Sequence, residues 1–194
     1  RLVATQQHVS LLLVLVINRQ ENADAECNHN IREYLAQHLT QPLQTGYQLH
    51  RLSEDLTALS IDLESLEGPT PSAQGVGRAR RVGCDTALGL IQHGIIKSQW
   101  IYSGDADAEW PSGFFSSDWP AHYSAICLPF THGSVGDPAV VAATVIYELK
   151  LHHYVLQLQR SGTPYAFHAL GSSCALRSEA YAAVRGVPLR NAGE

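Results

Sequence analysis

Methionine is missing altogether from these 194 residues, and the chain stops at Asn191-Ala192-Gly193-Glu194 with no closing element in view. Both features are expected of a piece of a longer protein. A basic surplus is missing too: 13 Lys and Arg face 18 Asp and Glu, for a net charge of −5. Binding to a nucleic-acid backbone or an anionic membrane needs the opposite balance, so neither is an expected partner. No apolar run exceeds Leu11–Ile17, LLLVLVI, which is too short to span a bilayer. It lacks a signal peptide's small-residue cleavage site, and polar Asn18-Arg19-Gln20-Glu21 follows at once. The four cysteines, Cys27, Cys84, Cys127 and Cys174, are far apart and form no C-x-x-C pair. That spacing argues against a zinc site or a disulfide framework and suits a reducing cytoplasm.

What remains is a chain that is 45% hydrophobic, enough for one domain with a real core and not clearly for two. LLLVLVI is a continuous, β-branched run of the kind buried on both faces in a parallel sheet. Asn28 to Leu39 carries Ile31, Tyr34, Leu35 and Leu39 at helical spacing. Tyr47–Leu52 and Leu56–Leu63 are predicted strands, the latter ending near Asp62. Gly68 to Gly77 is a loop by composition, and Arg78 to Ile96 is a predicted helix. Trp100–Ser103 is a short strand, and His122–Leu128 alternates weakly. Pro138 opens a long helix through about Arg160, since proline suits a first helical turn. Tyr165–Ala175 is a predicted strand interrupted by Gly171-Ser172-Ser173, and Ser178–Arg185 is a last helix closed by Gly186. Alternation of strands and helices predicts an α/β fold with a largely parallel sheet flanked by helices, in a single domain over 1–194.

Two stretches could carry chemistry. In QWIYSGDADAEWP, Asp105 and Asp107 follow a strand directly. Residues i and i+2 of a strand share a face, so the two carboxylates are expected to converge at the strand's carboxyl end, where open α/β sheets bind ligands. Two such oxygens suit Mg²⁺ or Mn²⁺, which often share their shell with substrate phosphates. An isolated D-x-D is nevertheless most often a solvated turn. In Gly75-Val76-Gly77-Arg78-Ala79-Arg80-Arg81-Val82-Gly83, glycines at a loop-to-helix junction offer backbone N–H groups to an anion. Three arginines add guanidinium groups suited to phosphate or to a buried carboxylate. The stretch lacks G-x-G-x-x-G spacing and the G-K-[ST] ending of a P-loop, and a solvated basic helix face is the plainer reading for Arg78 and Arg81.

Taken in order, LLLVLVINRQE, LSIDLES, GVGRARRVGCDTALGLI, WIYSGDADAEWP and GSSCALRSEAYAAVRGVPLRNAGE resemble the motif series of the family 2 glycosyltransferases of the GT-A fold. The resemblance covers nearly the whole chain. It implies a Rossmann-like GT-A sheet and transfer of a sugar from a nucleotide-diphosphate donor to an acceptor hydroxyl, metal-assisted and inverting. It further implies that Asn18, Glu21 and Asp62 line the nucleotide pocket and that Arg80 braces Asp62 or Asp105 beside the pyrophosphate. Asp107 would be the principal Mg²⁺ or Mn²⁺ ligand, Asp105 would help hold the ribose or metal, and the Gly171-Ser172 segment would face the acceptor. Departure of a nucleoside diphosphate builds negative charge that a cation stabilises, and a carboxylate base takes the acceptor proton.

The match departs from the family pattern in three places. Only Asp62 stands where paired aspartates are usual, Arg81 replaces an Asn, and Glu194 matches the Glu that precedes the family's catalytic Asp. Two rival readings follow. A sugar-phosphate nucleotidyltransferase would want a glycine-rich basic segment after the first strand, where Asn18–Glu21 stands instead. A catalytically silent nucleotide-sugar-binding subunit would have no use for the base. Trp110 and Trp119 could stack on a sugar or pack under a loop. Glu148 could enter an acceptor cleft or form a rim salt bridge, His132 could face the site or be an ordinary loop histidine, and His152 and His153 read as packed or surface residues. Ser172 and Ser173 form no nucleophile elbow. Val140, Val145, Ile146, Leu149 and Leu156 are expected in a core or an interface.

Overall fold

The computed structural model describes residues 9–111, 113–116, 119–133, 135–168 and 173–190. Within them the strands are β1 (Leu11–Ile17), β2 (Leu39–Gln44), β3 (Tyr47–Arg51), β4 (Leu56–Asp62), β5 (Trp100–Ser103), β6 (Ala125–Cys127) and β7 (Cys174–Arg177). The helices are α1 (His29–Gln37), α2 (Leu63–Glu67), α3 (Gly75–Gln92), α4 (Pro138–Arg160) and α5 (Ser178–Ala183). The strands form a four-stranded sheet ordered β1-β4-β3-β2 and a three-stranded sheet ordered β5-β7-β6.

The fold is mixed α/β, but the expectation of a largely parallel sheet is corrected. Among the described residues β1 and β4 pair in parallel, while β2–β3, β3–β4, β5–β7 and β6–β7 are antiparallel. The connections explain the direction. Thr45-Gly46 links β2 to β3, with Gly46 at φ 77°, and four residues link β3 to β4. Connections this short make hairpins, whereas a parallel pair needs a crossover of a dozen residues or more.

Strand alternation sorts the first sheet into two faces. Leu12, Val14, Val16, Leu49, Leu59 and Ile61 meet Val82 and Leu90 of α3. On the opposite face His50, Ser60 and Asp62 meet α1. His50 is fully buried, with Nδ1 2.8 Å from the Leu35 carbonyl and Nε2 2.8 Å from Ser60 Oγ. A carbonyl can only accept, so Nδ1 carries a proton, and Nε2 shares its bond with the Ser60 hydroxyl. That chain fastens α1 to the sheet without leaving a buried polar atom unmet. The other flank of α3 presents Cys84, Ala87, Leu88 and Ile91 to Ile101, Leu176 and Tyr181, so one helix joins both sheets. Ile61, wholly buried in the central strand, is the sharpest check on this core. Ile61→Ala is expected to cost about 2–5 kcal/mol, read by urea unfolding.

Several expected elements shift. Helix α3 begins at Gly75, not Arg78, and ends at Gln92. The expected strand over Tyr165–Ala175 is instead Cys174–Arg177: 165–168 are irregular, and 169–172 lie outside the described residues. Helix α4 keeps its expected bounds, but none of its residues is buried. Val140, Val145, Ile146, Leu149 and Leu156 are all about half or more exposed and so are not core. Among the described residues no helix is long and apolar enough to cross a membrane.

Candidate functional site

Residues Ile17 and Asp62 are register partners at the carboxyl ends of the parallel pair. Asn18 and Glu21 therefore leave β1 beside Asp62, and the structure brings these three nucleotide-pocket candidates to one end of the sheet. Their immediate tasks differ. The Asn18 carbonyl accepts from Asn28 Nδ2 at 3.0 Å, which sets the approach to α1. Glu21 Oε1 accepts the Ser72 N–H at 3.2 Å, and its own N–H donates to the Thr70 carbonyl at 3.1 Å. Glu21 thereby holds the 70–72 loop against the end of β1. Thr70 is fully buried, and its hydroxyl has no hydrogen-bond partner among the described residues.

Asp62 ends β4 and caps α2, accepting the Ser65 N–H at 3.3 Å and the Ser65 hydroxyl at 2.9 Å. A capping aspartate at a helix start satisfies an otherwise orphaned donor. Arg32 of α1 grips the same carboxylate with Nε at 3.0 Å and Nη2 at 3.1 Å, and also reaches Glu64 Oε2 at 2.7 Å. Arg19 closes the network on Glu64 Oε1 at 2.6 Å. Burial pushes the Asp62 carboxyl upward, but the bonds from Arg32 and Ser65 outweigh it and hold it below its ordinary value. Bonds from Arg32 and then Arg19 hold Glu64 low as well. Asp62's charged partner is thus Arg32, with Arg80 engaged elsewhere. Sequence reading missed Arg32: helical periodicity places it one turn before buried Leu35 but carries no sign of the carboxylates it meets.

A cavity of about 230 Å³ opens here, lined by Arg32, Ser60, Asp62 and Ser65 among others. Asp62 borders it, but Asn18 and Glu21 do not, and it is smaller than the roughly 300–1,000 Å³ usual for ligand pockets.

The second grouping lies at the end of β5. Arg80, in the second turn of α3 and 10% exposed along its side chain, donates from Nη2 to Asp105 Oδ1 at 2.8 Å. Asp105 and Asp107 lie past the strand, in a turn closed by the Ala108 N–H on the Asp105 carbonyl at 3.1 Å. Strand alternation therefore does not set their relative direction, and aspartate at the first position of such a turn is favoured locally. Asp107 is exposed. Trp110 lies directly over Gly104, where a β-carbon would overlap its ring. It also contacts Phe114 and Phe115 at centroid distances of 4.7 and 5.5 Å. Trp119 Nε1 donates to Tyr102 Oη at 2.9 Å on the same aromatic cluster. Both tryptophans pack the loop.

The glycine-rich start of α3 does not present itself to an anion at Gly77, whose N–H donates to the Arg190 carbonyl at 3.1 Å. The three arginines also separate: Arg78 pairs with Glu67, Arg80 with Asp105, and Arg81 with Asp85 at 3.6 Å. Glu148 accepts both the backbone N–H and ring Nδ1 of His132, at 2.7 and 3.0 Å, and those bonds hold its carboxyl below the ordinary value. Gly171, Ser172 and Glu194 lie outside the described residues.

Mg²⁺ and Mn²⁺ need only one or two protein carboxylates when phosphates complete the shell. Among the described residues no three His, Cys, Asp or Glu side chains gather to hold a metal. Asp107 carries an exposed carboxylate, while Asp105 is tied to Arg80.

No protein-family model matches the chain, and no curated protein or solved structure shows significant similarity to it.

Proposed function

We propose that this protein is a GT-A-type glycosyltransferase that moves a sugar from a nucleotide-diphosphate donor to an acceptor hydroxyl with inversion, working in the cytoplasm. The observation that carries this reading is the 2.8 Å bond from Arg80 to Asp105. It joins, across 25 residues of sequence, the two motifs that the family resemblance pairs functionally. Asn18, Glu21 and Asp62, gathered at the ends of β1 and β4, support the same reading as a donor-side rim.

In this reading Asp107 contributes oxygen to a divalent cation, and Arg80 fixes the turn that presents it. A bound cation would supply charge stabilisation for the departing diphosphate. The resemblance assigns acceptor deprotonation to an Asp following the Glu matched by Glu194. The nucleotidyltransferase alternative is weaker, because the residues after β1 hold the 70–72 loop through Glu21 instead of forming a glycine-rich basic cradle.

Calorimetric titration of nucleoside diphosphates with and without Mn²⁺ tests the proposal. The wild-type protein is expected to bind only with metal, and Asp107→Ala to lose that binding while its unfolding curve stays unchanged. Binding that ignores Mn²⁺, or survives Asp107→Ala, would sink the assignment.

A further inference from the structure

Three of the four cysteines, scattered over the sequence, meet in the fold. Strand β7 lies between β5 and β6, and Ser103, Cys174 and Cys127 form one row across the three strands. Cys174 lies close enough to Cys84 of α3 to help raise that thiol, and Cys127 close enough to Cys174 to do the same there, although burial is the larger cause at both.

The pairing geometry of Cys127 and Cys174 is specific. The Leu128 N–H donates to the Ser173 carbonyl at 2.7 Å, and the Arg177 N–H donates to the Ser124 carbonyl at 2.9 Å. Hydrogen-bonded pairs alternate along an antiparallel ladder, so 124/177 and 128/173 are bonded and Cys127/Cys174 is a non-hydrogen-bonded pair. Such pairs bring Cα atoms to roughly 4.5 Å, with the side chains leaning together on one face. A disulfide spans Cα separations of about 4.4–6.8 Å, so the backbone need not move far for one to form. Cys127 is exposed and Cys174 half-buried, which gives an oxidant access from the Cys127 side.

We propose that Cys127 and Cys174 are an oxidative modification site, closed by a hydroperoxide into a disulfide that staples β6 to β7. The Cys127 thiolate attacks the peroxide O–O bond, forming a sulfenic acid and releasing water. The Cys174 thiolate then displaces hydroxide from that sulfur, the S–S bond forms, and a second water leaves. Two thiols and one hydrogen peroxide give one disulfide and two waters, with sulfur oxidised and peroxide oxygen reduced. The staple fixes the sheet end from which the Asp105 turn and the 128–133 segment both emerge. It does not depend on the glycosyltransferase reading.

Burial raises both thiols, so the thiolate fraction is small at neutral pH and the reaction accelerates as pH rises. Deeper burial pushes the Cys84 thiol up to about 12, which leaves it a still smaller thiolate fraction. The test treats the whole protein with hydrogen peroxide at neutral and mildly alkaline pH, blocks remaining thiols, and maps peptides without reduction. The expected product is monomeric, carries a Cys127–Cys174 linked peptide, forms faster at the higher pH, and reverts with dithiothreitol. Cys127→Ser is expected to lose the linked peptide. Recovery of Cys127 and Cys174 as unlinked sulfinic acids, or of Cys84–Cys174 as the main link, would overturn the proposal. The wild-type map alone decides between these outcomes, whatever the folding of the variant.

Discussion

Gly77→Ala is expected to destabilise the protein by about 1–3 kcal/mol, whereas Gly89→Ala in the same helix is expected to stabilise it by about 0.5–1 kcal/mol. The opposite signs come from what a β-carbon meets. At Gly77 it would overlap the backbone carbonyls of Pro188 and Arg190, and backbone cannot swing aside as a flexible side chain does. Either the first turn of α3 or the 188–190 segment must move, and the Gly77 N–H bond to Arg190 goes with it. At Gly89 a β-carbon finds nothing within 4 Å, so only the helix propensity gain remains. Parallel urea titrations give both signs, and a shared sign would show that the segment does not dock on α3. The site has a stake in the result, because Arg80 projects one turn beyond Gly77. A displaced first turn loosens the Arg80–Asp105 bond and should also weaken any ligand held at Asp107.

These positions show what the sequence could and could not convey. The β-branched run of β1 and the spacing of Val82, Ala87, Leu88 and Ile91 in α3 announce their elements because burial imposes a period. Strand β2 gives no such sign: LTQPLQ is exposed at every position, and its Pro42 is tolerated only at a sheet edge. Helix α2 hides because Asp62 ends one apolar run and caps the next. In the site, the family resemblance offers Arg80 either Asp62 or Asp105 as its partner, and only the structure selects Asp105. Arg32 and Arg19 could not be matched to Asp62 and Glu64, since 30 to 45 residues separate the partners and periodicity fixes which face a side chain takes, not what lies opposite. Gly77 illustrates the same limit, since a glycine that reads as an anion cradle serves a contact with the chain's own backbone.

Arg32→Ala should be the most damaging single loss within the candidate site, at about 1–2 kcal/mol after allowance for the partial exposure of the groups. Arg32 binds two carboxylates at once, and only Glu64 keeps a second guanidinium, from Arg19. With Arg32 gone, burial becomes the main influence on Asp62 and its carboxyl moves upward from its present low value. The pH dependence has a definite sign. Asp62 and Glu64 are both depressed in the folded protein, so their contribution is complete above the unfolded values of about 3.9 and 4.3 and is lost as pH falls through the folded ones. The stability gap between wild type and Arg32→Ala should therefore be full at neutral pH and shrink below about pH 4. Asp62→Asn keeps a capping oxygen for Ser65 while removing the charge, so adding Arg32→Ala to Asp62→Asn should cost less than Arg32→Ala alone. Equal costs in both backgrounds, or a gap that persists unchanged into acid, would mean that Arg32 stabilises α1 by packing and not by neutralising Asp62.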